Sequence, residues 1–307
     1  MIRFVIRRLA WAIPVLWLVA TVTFVLMHLV PGGPFDQEKP LPPEIKANID
    51  AKYHLDEPLA TQYLYYLKDL LRGDFGPSYK YLGRSVNDII RDTFPVSMQL
   101  GLWAVLISVI VGVGAGIIAA ARPRSWMDHA GMFLATAGIS LPSFVLGTFL
   151  IMLFSYRFHF FPAALWEGWR YGVLPAVTLA LLPAAYIARL TRSSMLEVLH
   201  KDFIRTARAK GFGERQVLLK HALKNSITPV VSFLGPLTAT LVTGSFVVEF
   251  IFSVPGMGRY FITAVTNRDY PLIMGVTLIY AVLIVVANIV VDLVYTWIDP
   301  RMRIKNN

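Results

Sequence analysis

An all-α membrane protein with six transmembrane helices is the fold that this chain of 307 residues predicts, on three observations. Hydrophobic residues make up 56% and charged residues 16%, with a mean hydropathy of +0.57, too few charges to clothe a water-facing globule of this length. Six apolar stretches, 9–30, 97–121, 130–156, 172–191, 229–253 and 272–298, each reach the roughly 20 residues that a helix needs to cross a bilayer core of about 30 Å. None alternates like a barrel strand, and a helix satisfies its backbone polar groups in lipid within one segment.

The first stretch follows Arg3, Arg7 and Arg8, a basic start that also suits a cleaved signal peptide. Its apolar run of 22 residues exceeds a typical signal core, and Pro31-Gly-Gly-Pro34 stands where small residues would mark cleavage, so a retained span is expected. Residues 31–96 form the one sizeable segment outside the spans, with eight basic and ten acidic residues, and read as a helical, ordered soluble subdomain. Leu41-Pro-Pro-Glu44 predicts a turn and a helix over 44–53. Pro58 opens a second helix carrying Leu59, Tyr63, Tyr66, Leu67 and Leu70 at helical spacing, and Gly73-Asp-Phe-Gly76 ends it. Ser85 then caps a third short helix through Arg91. The chain has no cysteine, so packing alone holds this segment, without disulfide or thiolate metal site.

Within the second stretch, Gly112-Val-Gly-Ala-Gly116 sits in a continuous apolar helix, where Gly112 and Gly116 predict close helix packing and not a phosphate loop. Pro142, Pro183 and Pro236 lie inside later stretches and predict kinks, which suit helices that line a path as well as ordinary bundle geometry. Charge at lipid depth is scarce, with Glu249 and Asp292 clearly inside span limits. Asn288 and Asp292 share one helix face and predict a structural pairing in preference to a proton relay. Glu249, five residues before Val254-Pro-Gly256, either orders the outer mouth or is a plain interfacial carboxylate; with Pro142, Asn288 and Asp292 it makes the set of candidate gate or helix-pairing residues.

Orientation follows from the basic residues. With both termini inside, the inner segments hold seventeen Lys and Arg, whereas the two short outer loops hold Arg157 and Arg170, then Arg259 and Arg268. The net charge of +10 is thus spread over four segments beside spans and does not form a nucleic-acid patch. Nine basic and three acidic residues fall between Arg189 and Lys224 alone.

That basic segment predicts two short helices. Asp202 caps a helix over 203–210 and Gly211 takes the left-handed position that closes it. Lys201, Arg205 and Arg208 line one face, and Phe203 and Ala207 another, a knob with a charged and an apolar side. After Gly213, a second amphipathic piece over 214–225 presents Val217, Leu218 and Leu223. A solvated loop or a helix on anionic lipid is the bland alternative, though breaks at Gly211 and Gly213 make a poor lipid-surface strip.

Enzymatic chemistry is not expected. No Gly-x-x-x-x-Gly-Lys-Ser/Thr occurs, so the chain does not itself cradle a nucleotide phosphate. His28, His54, His129, His159, His200 and His221 include no pair at helical zinc spacing. Ser140 and Ser143 flank Pro142 without a nearby histidine, which speaks against an intramembrane hydrolase.

Arg205-Thr-Ala-Arg-Ala-Lys-Gly211, followed by His221-Ala-Leu-Lys-Asn225 and Pro229, resembles the cytoplasmic coupling loop of type I ABC importer permeases of the dipeptide and oligopeptide group. Ala207, Gly211 and Leu223 match the wider pattern; Arg205 and Thr206 stand where Glu and Ala are usual, and Lys224 where proline is usual. Ile6-Arg-Arg8, Pro31-Gly-Gly-Pro34, Lys52-Tyr-His-Leu55, Gly73-Asp-Phe-Gly76, Thr191-Arg-Ser-Ser-Met195, Pro255-Gly-Met-Gly258, Asn267-Arg-Asp-Tyr270 and Asp299-Pro300 occur in order and are similar to the B-type subunit of that group. The resemblance implies an extracytoplasmic first loop over 31–96, a type-1 permease core over 97–298 with its coupling loop at 192–228, and a cytoplasmic tail over 299–307.

It further implies a bacterial inner-membrane permease importing oligopeptides by alternating access. Its partners would be a second permease of related fold, two cytoplasmic ATPase subunits and an extracytoplasmic binding protein, with ATP and Mg on the ATPases and no cofactor on this chain. Asp202, Phe203, Arg205, Thr206, Ala207, Arg208, Ala209, Lys210 and Gly211 would form the coupling helix, supported by Gly213, Leu218 and Leu223. Relatives carrying nickel complexes, opines or glutathione-like solutes keep the cargo open. An ion-coupled secondary transporter using Glu249 and Asp292 is the alternative from another class, and it predicts inverted repeats that the loop pattern does not display.

Overall fold

A computed structural model describes residues 2–30, 34–35 and 54–298 and, within them, every side chain except those at 2–5, 134, 137, 139–140 and 291–298. Among the described residues the named elements are all helical: α1 (Ile2–Leu29), α2 (Leu59–Leu71), α3 (Val86–Ala121), α4 (Trp126–Ser140), α5 (Ser143–Arg157), α6 (Trp169–Leu199), α7 (Asp202–Ala209), α8 (Glu214–Ser226), α9 (Thr228–Val242), α10 (Phe246–Ile251), α11 (Met257–Asn267) and α12 (Tyr270–Ile298). The second half of α5 and the middle of α8 are wound as π-helix. The helix expected over 44–53 lies outside the described residues.

Two compact units divide the chain, the described parts of Met1–Pro95 with Arg259–Val285, and of Val96–Gly258 with Val286–Asn307. In the first, Phe24, Tyr270 and Met274 are buried against Met27, Tyr63, Tyr66 and Tyr79, and Val86, Ile89, Ala264, Leu272, Ile273 and Val276 form a neighbouring core. Asp269, fully buried, accepts a hydrogen bond from the Ser78 hydroxyl and another from the Tyr79 N–H, which ties the loop after α2 to the start of α12. Ser85 and Asp88 cap α3 reciprocally, the Asp88 N–H donating to Ser85 Oγ and the Ser85 N–H to Asp88 Oδ2, each at 3.1 Å. The short helix expected from Ser85 through Arg91 does not stop there. It runs on through Pro95, because an interior proline deletes one backbone bond without ending a helix whose neighbouring turns are intact.

In the second unit, α3 and α6 meet along a row of small residues four apart: Ala104, Ser108, Gly112, Gly116 and Ala120, all buried. A Cβ on Gly112 would stand 2.7 Å from the Ala184 carbonyl oxygen, and one on Gly116 2.5 Å from Thr191 Cβ, so hydrogen at both positions sets the approach of the two backbones. The Ser108 hydroxyl lies 3.0 Å from the Ala180 carbonyl in the same seam. Leu100, Leu174, Ile187, Val230, Val248 and Phe252 are among the residues that fill the adjoining core.

The count of unbroken spans differs from the six expected. Among the described residues four helices are long and apolar enough to cross a bilayer alone, and α8 with α9, bent by 60°, would add a fifth as one broken span. The third expected stretch divides at Leu141 and Pro142. Proline forces the residue before it out of the helical region, and Leu141 adopts φ −91° and ψ 127°, so Pro142 opens α5 and does not kink a continuous helix. The fifth stretch divides after α9, where Gly244 turns at φ +95° and Ser245 caps α10. Pro183 and Pro236 do lie inside helices, α6 and α9.

Candidate coupling surface

The basic segment begins where α6 ends. Helix α6 continues past its apolar stretch to Leu199, and its last turns supply the buried Met195 and Val198. Together with Ala120 of α3 and Val217 and Ala222 of α8 they enclose Ile204 and Ala207, the two buried residues of α7. Leu218 and Leu223 pack half-buried on the same cluster. A helix of eight residues is marginal in water by itself, so this small core, more than propensity, holds α7 in place.

Local chemistry fixes its ends. The Lys201 N–H bonds the Val198 carbonyl at 3.0 Å, closing α6, and one extended residue later α7 starts, so Lys201 and not Asp202 occupies the cap position and no side chain caps it. Asp202 sits in the first turn instead, its carboxylate near the positive helix end and 3.4 Å from Arg205 Nη1. The far end closes as a Schellman motif: Gly211 at φ +81° donates its N–H to the Arg208 carbonyl and the Phe212 N–H to the Ala207 carbonyl. Gly213 caps α8 with extended backbone. Arg208 grips Glu214 with both Nη2 and Nε, at 2.7 and 3.2 Å, and the Phe212 ring stacks on His221 at 5.3 Å. That ion pair holds the Arg208 guanidinium above its ordinary pKa.

The two faces of α7 therefore differ from the pattern expected. Ala207 is 5% exposed and Ile204 0%, whereas Phe203 is 41% exposed. Ile204, absent from the expected set, is the inward anchor; residues three apart share a helix face, and α6 and α8 select the 204/207 pair over the 203/207 pair. Phe203 carries the outward apolar surface, beside exposed Lys201, Asp202, Arg205, Thr206, Ala209 and Lys210. The expected basic row, Lys201, Arg205 and Arg208, is exposed throughout, with Arg208 held by Glu214 and Arg205 3.4 Å from Asp202.

A second anchor, also outside the expected set, joins α4 to α6. Ser125 caps α4, and Asp128, its side chain 3% exposed, receives Arg192 Nε at 2.5 Å, Nη2 at 2.7 Å and the Arg124 N–H at 2.9 Å. The Arg192 hydrogen bonds hold its carboxyl below the usual carboxylate range against the cost of burial. Asp128 and Arg192 are 64 positions apart, so the acid in its Ser-x-x-Asp context signals a helix start and not its partner.

Among the candidate gate residues whose side chains are described, Glu249 is the one built into a site. It is fully buried, with Oε1 accepting the Ser97 hydroxyl at 2.8 Å and Oε2 the Gly258 N–H at 2.7 Å, while Ser97 Oγ accepts the Met257 N–H at 2.9 Å. Three glycines make room for it: Cβ atoms on Gly244, Gly256 and Gly258 would lie 2.5, 2.4 and 2.9 Å from its carboxyl oxygens. The plain interfacial carboxylate is thus corrected to a carboxyl clasp that joins α10, the first residues of α11 and α3, and burial demands those donors. Pro142 is exposed at the break between α4 and α5, and Asn288 is half-buried on α12. The side chain of Asp292 lies outside the described residues, and with it the expected bridge to Asn288.

Comparison with known proteins bears on the whole chain. Residues 112–304 match the family described as binding-protein-dependent transport system inner membrane component, and residues 1–101 match the N-terminal family of such membrane components. The chain is 48% identical over 305 residues to the dipeptide transport system permease protein DppB of Bacillus subtilis (strain 168), covering 99% of each. It is 47% identical over 305 residues to the oligopeptide transport system permease protein OppB of Escherichia coli (strain K12), covering 99% of this chain and 100% of that one. In fold it is similar to a chain of the inward-facing MetNI methionine ABC transporter, with TM-score 0.57 and 16% identity over 69% of this chain and 96% of that one.

Proposed function

Because the chain belongs to the family of binding-protein-dependent transport system inner membrane components, we propose that it is the permease subunit of an ATP-driven importer that passes peptides across a bacterial inner membrane. The observation that carries the mechanism is the division of α7 into an inward face, Ile204 and Ala207, sealed by its own chain, and an outward face with Phe203 and Arg205 exposed. Such a helix is held rigidly by one side and offered by the other. ATP and Mg reside on two partner ATPase subunits, one of which receives α7 in a groove; closure of the ATPase pair displaces α7, and the displacement passes through Met195 and Val198 into α6. A second permease of related fold and an extracytoplasmic binding protein complete the assembly, and both termini of this chain lie on the cytoplasmic side, where its basic segments gather.

Cargo is a peptide in this reading, and the similar identities to dipeptide and oligopeptide permeases leave length preference to competition assays. The test of coupling exploits the cysteine-free chain. A single thiol at Phe203→Cys should crosslink to a co-expressed ATPase subunit with a yield that changes on adding ATP, while one at Ala207→Cys, buried at 5% exposure, should not. Absence of any crosslink from Phe203→Cys in an inserted, stable chain, with uptake that follows the ion gradient, would favour the ion-coupled carrier.

A further inference from the structure

We infer that α2, in the first extracytoplasmic segment, is a membrane-interface helix whose lower face is covered by outer-leaflet lipid. Its depth is fixed by α1. The Tyr63 hydroxyl hydrogen-bonds Thr21 Oγ1 at 2.6 Å, Gln62 Oε1 contacts His28 Nε2 at 3.2 Å, and against Phe24 the Tyr66 ring stacks at 5.7 Å while the Tyr63 ring lies tilted at 5.2 Å. Arg7 and Arg8 mark the inner boundary of α1, and a hydrocarbon core of about 30 Å spans roughly 20 residues of helix from Leu9, so its outer boundary falls near His28. Thr21 then lies about 10 Å inside that boundary at a rise of 1.5 Å per residue. A tyrosine hydroxyl reaches roughly 6.5 Å from its own Cα, from standard bond lengths, so the α2 backbone at Tyr63 sits at or below the boundary.

The flanks of α2 agree with this placement. At 100° per residue, the flank on the Tyr63 side, which meets the deeper Thr21, continues to Leu67, Leu71 and Leu64, with Leu64 64% and Leu71 91% exposed. The flank on the Gln62 side, which meets the shallower His28, continues to Asp69, Tyr65, Thr61 and Lys68. With depth set by the contacts to α1, apolar residues lie on the deep side and polar ones on the shallow side. An in-plane amphipathic helix has this arrangement, with tyrosines at headgroup level. For residues 59–71 it departs from the soluble subdomain expected from the charge balance of 31–96, and it rests on α1 crossing the membrane and not on the cargo or the ATPase partner.

The test places nitroxide labels at Leu64→Cys, Leu71→Cys and Thr61→Cys in the full-length chain assembled with its partner subunits in lipid nanodiscs, and subtracts the signal of the assembly with the unaltered chain. Collision rates with oxygen and with a water-soluble nickel chelate are read for each. Labels at 64 and 71 should favour oxygen over the chelate several-fold, and the label at 61 the reverse. Chelate-dominated collisions at all three positions would return α2 to water. Shielding of 64 and 71 from both agents would assign the face to a protein partner, and either result overturns the inference.

Discussion

Glu249 and Arg205 are both charged residues on short helices of one unit, yet the first is 0% exposed and the second has 76% of its side chain in solvent. Glu249 accepts from the Ser97 hydroxyl and the Gly258 N–H, which come from segments that converge only on folding. Arg205 stands on a helix whose inward side is fully packed. The contrast separates two tasks: polar groups satisfied within the chain hold its shape, while a polar and aromatic face carried on a packed interior is available to another molecule. Substitutions at the first kind should cost stability, and at the second kind coupling.

The largest effect is expected at the clasp. Glu249→Ala removes an acceptor from the buried Ser97 hydroxyl and Gly258 N–H and leaves a void, and at about 1–3 kcal/mol per orphaned group the loss sums to about 4 kcal/mol. Glu249→Gln keeps one oxygen for the Gly258 N–H and should lose less than half as much. Thermal unfolding of the purified assembly at one scan rate checks the order; equal losses would show that volume alone matters there.

Next comes Ile204→Ala, which empties a fully buried position beneath α7 and should cost about 3 kcal/mol, with hydrogen exchange accelerated in α7 before any other helix of its unit. Unchanged exchange in α7 would mean that the Arg208–Glu214 pair and the Schellman closure hold it without the core. Much of this segment was legible in the sequence, and the part that was not has a physical cause. Gly211 closes the helix through bonds within five residues, so its role is local and readable. Whether Phe203 or Ile204 turns inward is decided by Met195 and Val217 on neighbouring helices, which no local pattern contains. Hydropathy located the six apolar stretches but averages over the backbone, so it passed across the breaks at Pro142 and Gly244. Glu249 was visible as a rare charge at depth, but its partner Ser97 lies 152 positions away.

The Asp128–Arg192 pair falls between the two regions, buried on the carboxylate side and 28% exposed on the guanidinium side. Asp128→Asn should cost about 1–2 kcal/mol, since hydrogen bonds to charged groups contribute about 1.5–3 kcal/mol and part of Arg192 regains water. The carboxyl is held below its unfolded value of about 3.9. Its contribution is therefore complete above that value and lost as pH falls through the depressed folded one. The stability difference between the native chain and Asp128→Asn should stay constant near neutral pH and close only in that acid window; closure near pH 6 would place the linkage elsewhere.

Phe203→Ala should change stability least, by no more than about 0.5 kcal/mol, since its ring is 41% exposed and outside the core under α7. Its effect should appear as peptide uptake per ATP hydrolysed, measured in vesicles holding the whole assembly, falling while the unfolding temperature stays put. Arg205→Glu on the same face should act in the same sense, through charge and not apolar area. The pairing of a silent thermal midpoint with a lowered transport ratio is what distinguishes an offered surface from a structural one. A Phe203→Ala assembly that loses both together would instead mean that the ring supports α7 from outside, and that the outward face is part of its own fold.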